Sequence, residues 1–146
     1  MTGMEMKIQN VYIPDTSTKR TLPYYEAKVP AGFPSPASDY EEGKLDLNKH
    51  LIKNPAATFF VRVSGSSMVG AGINDGDLLV VDRSLEPRNG NVVIAVIDGD
   101  LTLKRIRIRG KKIILEPENS NYEPQEISEN CDFQVWGVVT NVVHEL

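Results

Sequence analysis

The sequence predicts a mainly β domain of antiparallel strands with one short helix, preceded by an extended N-terminal arm. Three observations carry that expectation. Six segments from residue 57 onward are dense in β-branched and aromatic residues. Turn-forming pairs separate these segments. Five of the nine prolines (Pro14, Pro23, Pro30, Pro34 and Pro36) fall in the first 36 residues, where they oppose helix.

The elements follow in order. Residues 1–40 read as the arm, with few apolar residues apart from Val11-Tyr12-Ile13 and Tyr24-Tyr25. Residues 41–146 read as the folded domain. Leu45, Leu47, Leu51 and Ile52 suit a short amphipathic helix, with Asp46 as N-cap and Asn54-Pro55 as its stop. The expected strands are Ala57 to Val63, Leu78 to Val81, Val92 to Ile97, Leu101 to Arg109, Ile113 to Leu115 and Phe133 to Val143. Asn74-Asp-Gly76, Asn89-Gly90, Asp98-Gly99 and Arg109-Gly110 punctuate them. Asp98-Gly99 predicts a hairpin, which Asp100 would lengthen.

Composition narrows the function. The chain has 146 residues, room for one ordinary domain plus a tail. Twenty acids against sixteen bases leave a net charge of -4, which gives no global attraction to a nucleic-acid backbone. One cysteine excludes an intrachain disulfide framework and a Cys-rich zinc site. His50 and His144 belong to no ligand-spaced motif, so neither metal nor cofactor is expected. No apolar run approaches a membrane span, and no signal-peptide pattern opens the chain. The expected setting is the cytoplasm.

One lysine is conspicuous. Alternation along the strand from Leu101 puts Leu103, Arg105, Arg107 and Arg109 on one face. Thr102, Lys104, Ile106 and Ile108 fall on the other. Apolar neighbours disfavour the charged form of a lysine and favour the neutral amine, a usable general base. A lysine that merely extends its ammonium to solvent gives the same pattern.

A neutral amine needs a partner to deprotonate. Val63-Ser-Gly-Ser-Ser-Met68 ends a strand and enters the glycine-rich stretch Val69-Gly-Ala-Gly-Ile73. A serine at such a bend is expected to be exposed, with backbone N–H groups free nearby to hold an oxyanion. An ordinary Ser/Gly turn has the same composition.

Taken together these residues resemble a known family. Ser64-Gly-Ser-Ser-Met68, Gly72-Ile-Asn-Asp-Gly-Asp-Leu-Leu-Val-Val-Asp82 and Lys104, 37 residues after Ser67, look like the LexA/UmuD group of Ser–Lys self-cleaving peptidases (family S24). The likeness continues through Leu115-Glu-Pro-Glu-Asn119, Tyr122 and Val135-Trp-Gly-Val-Val139, and covers about residue 29 to the C-terminus. It implies a compact LexA-like peptidase domain, Ser67 as nucleophile and Lys104 as general base. The backbone N–H groups of Ser66 and Ser67 would hold the oxyanion. Self-cleavage would fall between Ala31 and Gly32, within Val29-Pro-Ala-Gly-Phe33.

Only 31 proline-interrupted residues precede that bond, where LexA-type repressors carry a DNA-binding winged helix. The likeness therefore selects the UmuD branch. It implies a homodimer, stimulated to cut itself by a RecA filament on single-stranded DNA. The trimmed dimer would then join a UmuC-like translesion polymerase in the SOS response to DNA damage. No sequence-specific DNA binding and no membrane association are expected. Two other classes fit the same residues: a binding module of this fold that does not process itself, and a soluble Ser–Lys peptidase acting on other chains.

Three further features have plainer readings. Lys104, Arg105, Arg107, Arg109, Lys111 and Lys112 form a basic row that suits an acidic partner or a solvated strand face. Cys131 has no neighbours in sequence that would activate it. Phe133 and Trp136 suit a core or a dimer interface.

Overall fold

The computed structural model of the chain describes residues 6–15, 21–25 and 41–146. Strands β1 (Lys7–Tyr12), β2 (Thr21–Tyr25) and β3 (Glu41–Asp46) precede the single helix α1 (Leu47–Leu51). Then follow β4 (Thr58–Ser64), β5 (Leu78–Asp82), β6 (Val92–Ile97), β7 (Asp100–Arg109), β8 (Lys112–Glu116), β9 (Gln125–Glu126) and β10 (Phe133–Val143). The expected mainly β architecture with one short helix is what the chain adopts.

Eight strands form one curled antiparallel sheet in the order β1-β4-β5-β10-β6-β7-β8-β9. Beyond its pairing with β4, β1 also comes into contact with β7. Both faces of the sheet bury apolar side chains. Val61, Val63, Leu79, Val81, Ile94 and Leu103 pack on one side with Met6, Met68 and Ile73. Val93, Ala95, Ile106, Leu115 and Val138 pack together in a second cluster. Adjacent residues of β6 thus enter different clusters, which explains the unbroken apolar run Val92 to Ile97. Each fully buried Val, Leu, Ile or Met side chain among them contributes about 1.5–3 kcal/mol.

Local pairing departs from the sequence reading in three places. Ile97 pairs with Asp100, so the β6–β7 turn holds two residues and Asp100 opens the strand without lengthening the turn. Asp98 accommodates this with φ 48°. Leu45 belongs to β3, and the helix starts at Leu47 with Asp46 accepting the Asn48 N–H at 3.0 Å. Finally, β1, β2, β3 and β9 carry weak strand signals: β2 contains Pro23, β3 opens with two glutamates and β9 has two residues.

By their contacts the residues group into two units. Residues 1–14 group with 54–146, and 15–53 form a second unit. In the first unit Lys7 pairs with Ser64 and Tyr12 with Phe60, while the Met6 side chain enters the core. That part of the expected arm is a sheet strand. The second unit is an antiparallel hairpin of β2 and β3, with Thr21 opposite Asp46 and Tyr24 opposite Gly43, followed by α1. Its connection, residues 26–40, contains Ala31 and Gly32 and lies outside the described residues.

Candidate active site

The serine-bearing loop leaves the sheet at Ser64, the last residue of β4. Gly65 turns the chain at φ 103°, a region that side chains with a Cβ rarely enter. Its N–H donates to Asp75 Oδ1 at 2.8 Å. Ser67 follows, fully buried and not exposed as the bend predicts, because Met6 covers it and Met68 locks the loop by inserting into the core. A short 3-10 turn, Val69–Ala71, returns the chain toward β5.

The acidic motif after this loop is structural. Asp75 holds Gly65, and buried Asp77 accepts the Asn74 N–H at 2.8 Å. Asp77 also bonds His144 Nδ1 at 2.6 Å. Asp82 closes β5 by accepting from Asn54 Nδ2 at 2.7 Å and from the Ser84 hydroxyl and N–H. Burial alone would raise the Asp82 carboxyl, but these three bonds outweigh it and hold the group below its ordinary value.

Lys104 sits in the middle of β7, opposite Val93 on β6. It is buried, with 8% of its surface exposed, and Nζ donates to Thr102 Oγ1 at 3.0 Å. Ile106, two residues on, is in the second core cluster. The alternation expected from sequence therefore holds at this position.

Met6 bonds one predicted residue and shares a cleft with the other. Its N–H donates to Ser67 Oγ at 2.9 Å. Met6 also lines, with Ile8, Leu101, Thr102 and Lys104, a cleft of about 920 Å³ that reaches the Asp98-Gly99 turn. Ser67 does not line this cleft; Met6 does.

A third segment, after β8, fixes the serine loop. Glu118 accepts the Gly70 N–H on its carbonyl at 2.7 Å. A Cβ at Gly70 would lie 2.6 Å from that oxygen, so only glycine permits the approach. Asn119 Nδ2 donates to the Ser66 carbonyl at 2.9 Å. The Glu118 carboxylate pairs with Arg105 Nε, and Arg105 Nη1 donates to the Gly90 carbonyl at 2.6 Å. Arg107 Nε pairs with Glu116 at 3.1 Å. Two members of the basic row are thus internal ion-pair partners.

Sequence reasoning missed Met6, Gly70 and the contacts of Glu118 and Asn119 with this loop. Their bonds join positions 48 to 61 residues apart, which no local periodicity encodes. Cys131 lies 3.9 Å from Asp98 Oδ2. Desolvation first, then Asp98 and Asp132, push its thiol up and away from the thiolate. Trp136 stacks at 4.6 Å from Arg83 and packs against the first core cluster. Among the described residues, no cluster of His, Cys, Asp or Glu has metal-holding geometry. Nor is any helix among them long and apolar enough to cross a membrane.

The chain, with a buried serine on a glycine-turned loop and a buried lysine in the middle of β7, is similar to known proteins. Residues 23–140 match the model of the Peptidase S24-like family. Protein ImpA of Escherichia coli is 48% identical over 122 residues, 84% of this chain and 83% of that protein. Protein SamA of Salmonella typhimurium is 46% identical over 128 residues, 86% of each chain. Protein MucA of Escherichia coli is 40% identical over 141 residues, 96% of each. A family match over most of the chain, and relatives of this length and identity, leave one conclusion: the chain is a UmuD-like member of the Peptidase S24-like family.

Proposed function

We propose that this protein cuts its own chain between Ala31 and Gly32, and that the trimmed form serves as the accessory subunit of an error-prone translesion polymerase in the SOS response. The family match carries this reading, because residues 23–140 contain Ala31, Gly32, Ser67 and Lys104. Burial of both Ser67 and Lys104 supports it further.

The chemistry follows from those groups. Neutral Lys104 takes the Ser67 hydroxyl proton as Oγ attacks the Ala31 carbonyl carbon. The carbonyl oxygen becomes an oxyanion, held by the N–H groups of Ser66 and Ser67. As the C–N bond breaks, Lys104 returns the proton to the Gly32 amine. Water then enters, Lys104 takes its proton, and the Ala31 ester is hydrolysed to free Ser67. Histidine and metal have no part in this cycle.

The functional boundary is the severed bond. Residues 1–31 leave, and residues 41–146 retain the catalytic groups and the dimer surface. A RecA filament on single-stranded DNA stimulates the cut by favouring the docked segment. A shift of about 4 kcal/mol in that equilibrium accelerates cutting roughly 1,000-fold while docking stays a minor state. The trimmed homodimer joins a UmuC-like polymerase in the cytoplasm.

Purified protein incubated with and without a RecA filament tests this reading. The filament should accelerate release of a fragment beginning at Gly32, and Lys104→Ala should remain uncut in its presence. Filament-stimulated cutting of Lys104→Ala at the wild-type rate would mean that the partner supplies the base.

A further inference from the structure

The Ser66 carbonyl and the Ser67 N–H belong to one peptide unit. That unit is planar and trans, as are all described peptide bonds of the chain, so the two groups point in opposite directions. Whatever holds the carbonyl therefore aims the N–H. Two donors hold it: Asn119 Nδ2 at 2.9 Å and the Val69 N–H at 3.3 Å. The Val69 bond is local to the turn. The Asn119 bond comes from the segment after β8, 53 residues away.

Asn119 is itself oriented. Its Oδ1 accepts the Asn121 N–H at 3.0 Å, and its backbone carbonyl accepts the Tyr122 N–H at 3.1 Å. With Oδ1 engaged, Nδ2 faces the Ser66 carbonyl. Its neighbour Glu118 binds the Gly70 N–H through its carbonyl and Arg105 through its carboxylate. Arg105 follows Lys104 on β7. One short segment thus holds the serine loop at two points and the lysine strand at one.

We propose that Asn119 is a positioning residue for self-cleavage: by holding the Ser66 carbonyl it aims the Ser67 N–H at the oxyanion. This rests on Ser67 being the nucleophile. A donor contributes to the transition state only when its direction is fixed in advance, since hydrogen bonds weaken steeply as they bend. Without Asn119, the peptide unit is free to rock about its flanking bonds. The loop keeps its place through Met68 and Gly70, but the donor loses its aim. The loss falls on the tetrahedral state, where the oxygen carries full charge, and spares the ground state.

The test uses the full-length protein and two peptides of residues 27–31, one ending in an amide and one with a boronic acid in place of the carboxyl group. Boron accepts Ser67 Oγ, the Oγ proton passes to Lys104, and a boron-bound hydroxyl occupies the oxyanion position. Both peptides are titrated as inhibitors and ligands of wild type, Asn119→Ala and the nearly isosteric Asn119→Asp.

Either variant should lose about 10- to 100-fold in boronate affinity, somewhat less than the loss of a whole oxyanion donor, while amide affinity stays within about 3-fold. Asn119→Asp keeps the test open should Asn119→Ala fail to fold. Equal losses for both peptides would mark Asn119 as merely structural and overturn the proposal, as would an unchanged boronate affinity. A different result, Ser67→Ala binding the boronate as tightly as wild type, would remove Ser67 as nucleophile and take both readings with it.

Discussion

The backbone N–H of Met6 donates to Ser67 Oγ at 2.9 Å, so the residue just before the first strand caps the predicted nucleophile. Both groups are buried. That bond engages the oxygen that is proposed to attack. Proline at position 6 lacks the N–H. Met6→Pro should raise the rate of Ser67 labelling by a fluorophosphonate by about 2- to 10-fold, the worth of one ordinary hydrogen bond. Unchanged labelling would show that Met6 does not restrain Ser67.

Attack requires a lysine with a free electron pair. Lys104→Arg keeps a basic side chain but has no accessible neutral form. It should stay uncut, as should Lys104→Ala, in a timed gel assay that follows release of the Gly32 fragment. Cutting of Lys104→Arg at the wild-type rate would exclude a lysine base.

The local setting of the two proposed catalytic residues was legible in the sequence for two separate reasons. Lys104 betrayed itself by sharing a strand face with Ile106, and β7 realises that alternation. Ser67 stood in a Ser/Gly turn after a strong strand pattern, and β4 ends where that pattern breaks. β6 and β10 were recovered with the expected bounds, because continuous β-branched runs have few other uses. The strand at Lys7–Tyr12 was not legible: its side chains are mostly exposed, and its stability comes from pairing with β4. The Asn119 contact was equally hidden, since it depends on where two distant loops meet.

Gly70 offers a test of that meeting point. A methyl group there would lie 2.6 Å from the Glu118 carbonyl oxygen, which is backbone and cannot swing aside. Gly70→Ala should lower stability to chemical denaturation by about 1–3 kcal/mol and slow self-cleavage as the loop shifts. Wild-type stability in this variant would mean that the two loops separate at little cost.

Asp82 makes acid stability predictable. Its carboxyl lies below its ordinary value near 3.8, so the unfolded chain binds its proton more readily than the folded one. Its contribution is complete above about pH 4 and is lost as pH falls through the folded value. Asp82→Asn should therefore cost more stability at pH 6 than at pH 3, measured by denaturant melts at both. An equal cost at the two values would show that the Asn54 and Ser84 bonds do not favour the ionised form.

The proposed role of Ser67 is to open the bond between Ala31 and Gly32. Its most direct measurement is the intact mass of purified wild type and Ser67→Ala after the same mildly alkaline incubation. Wild type should accumulate a fragment beginning at Gly32, and Ser67→Ala should keep its full mass while retaining a cooperative unfolding transition. A Gly32 fragment from Ser67→Ala at the wild-type rate would contradict the account.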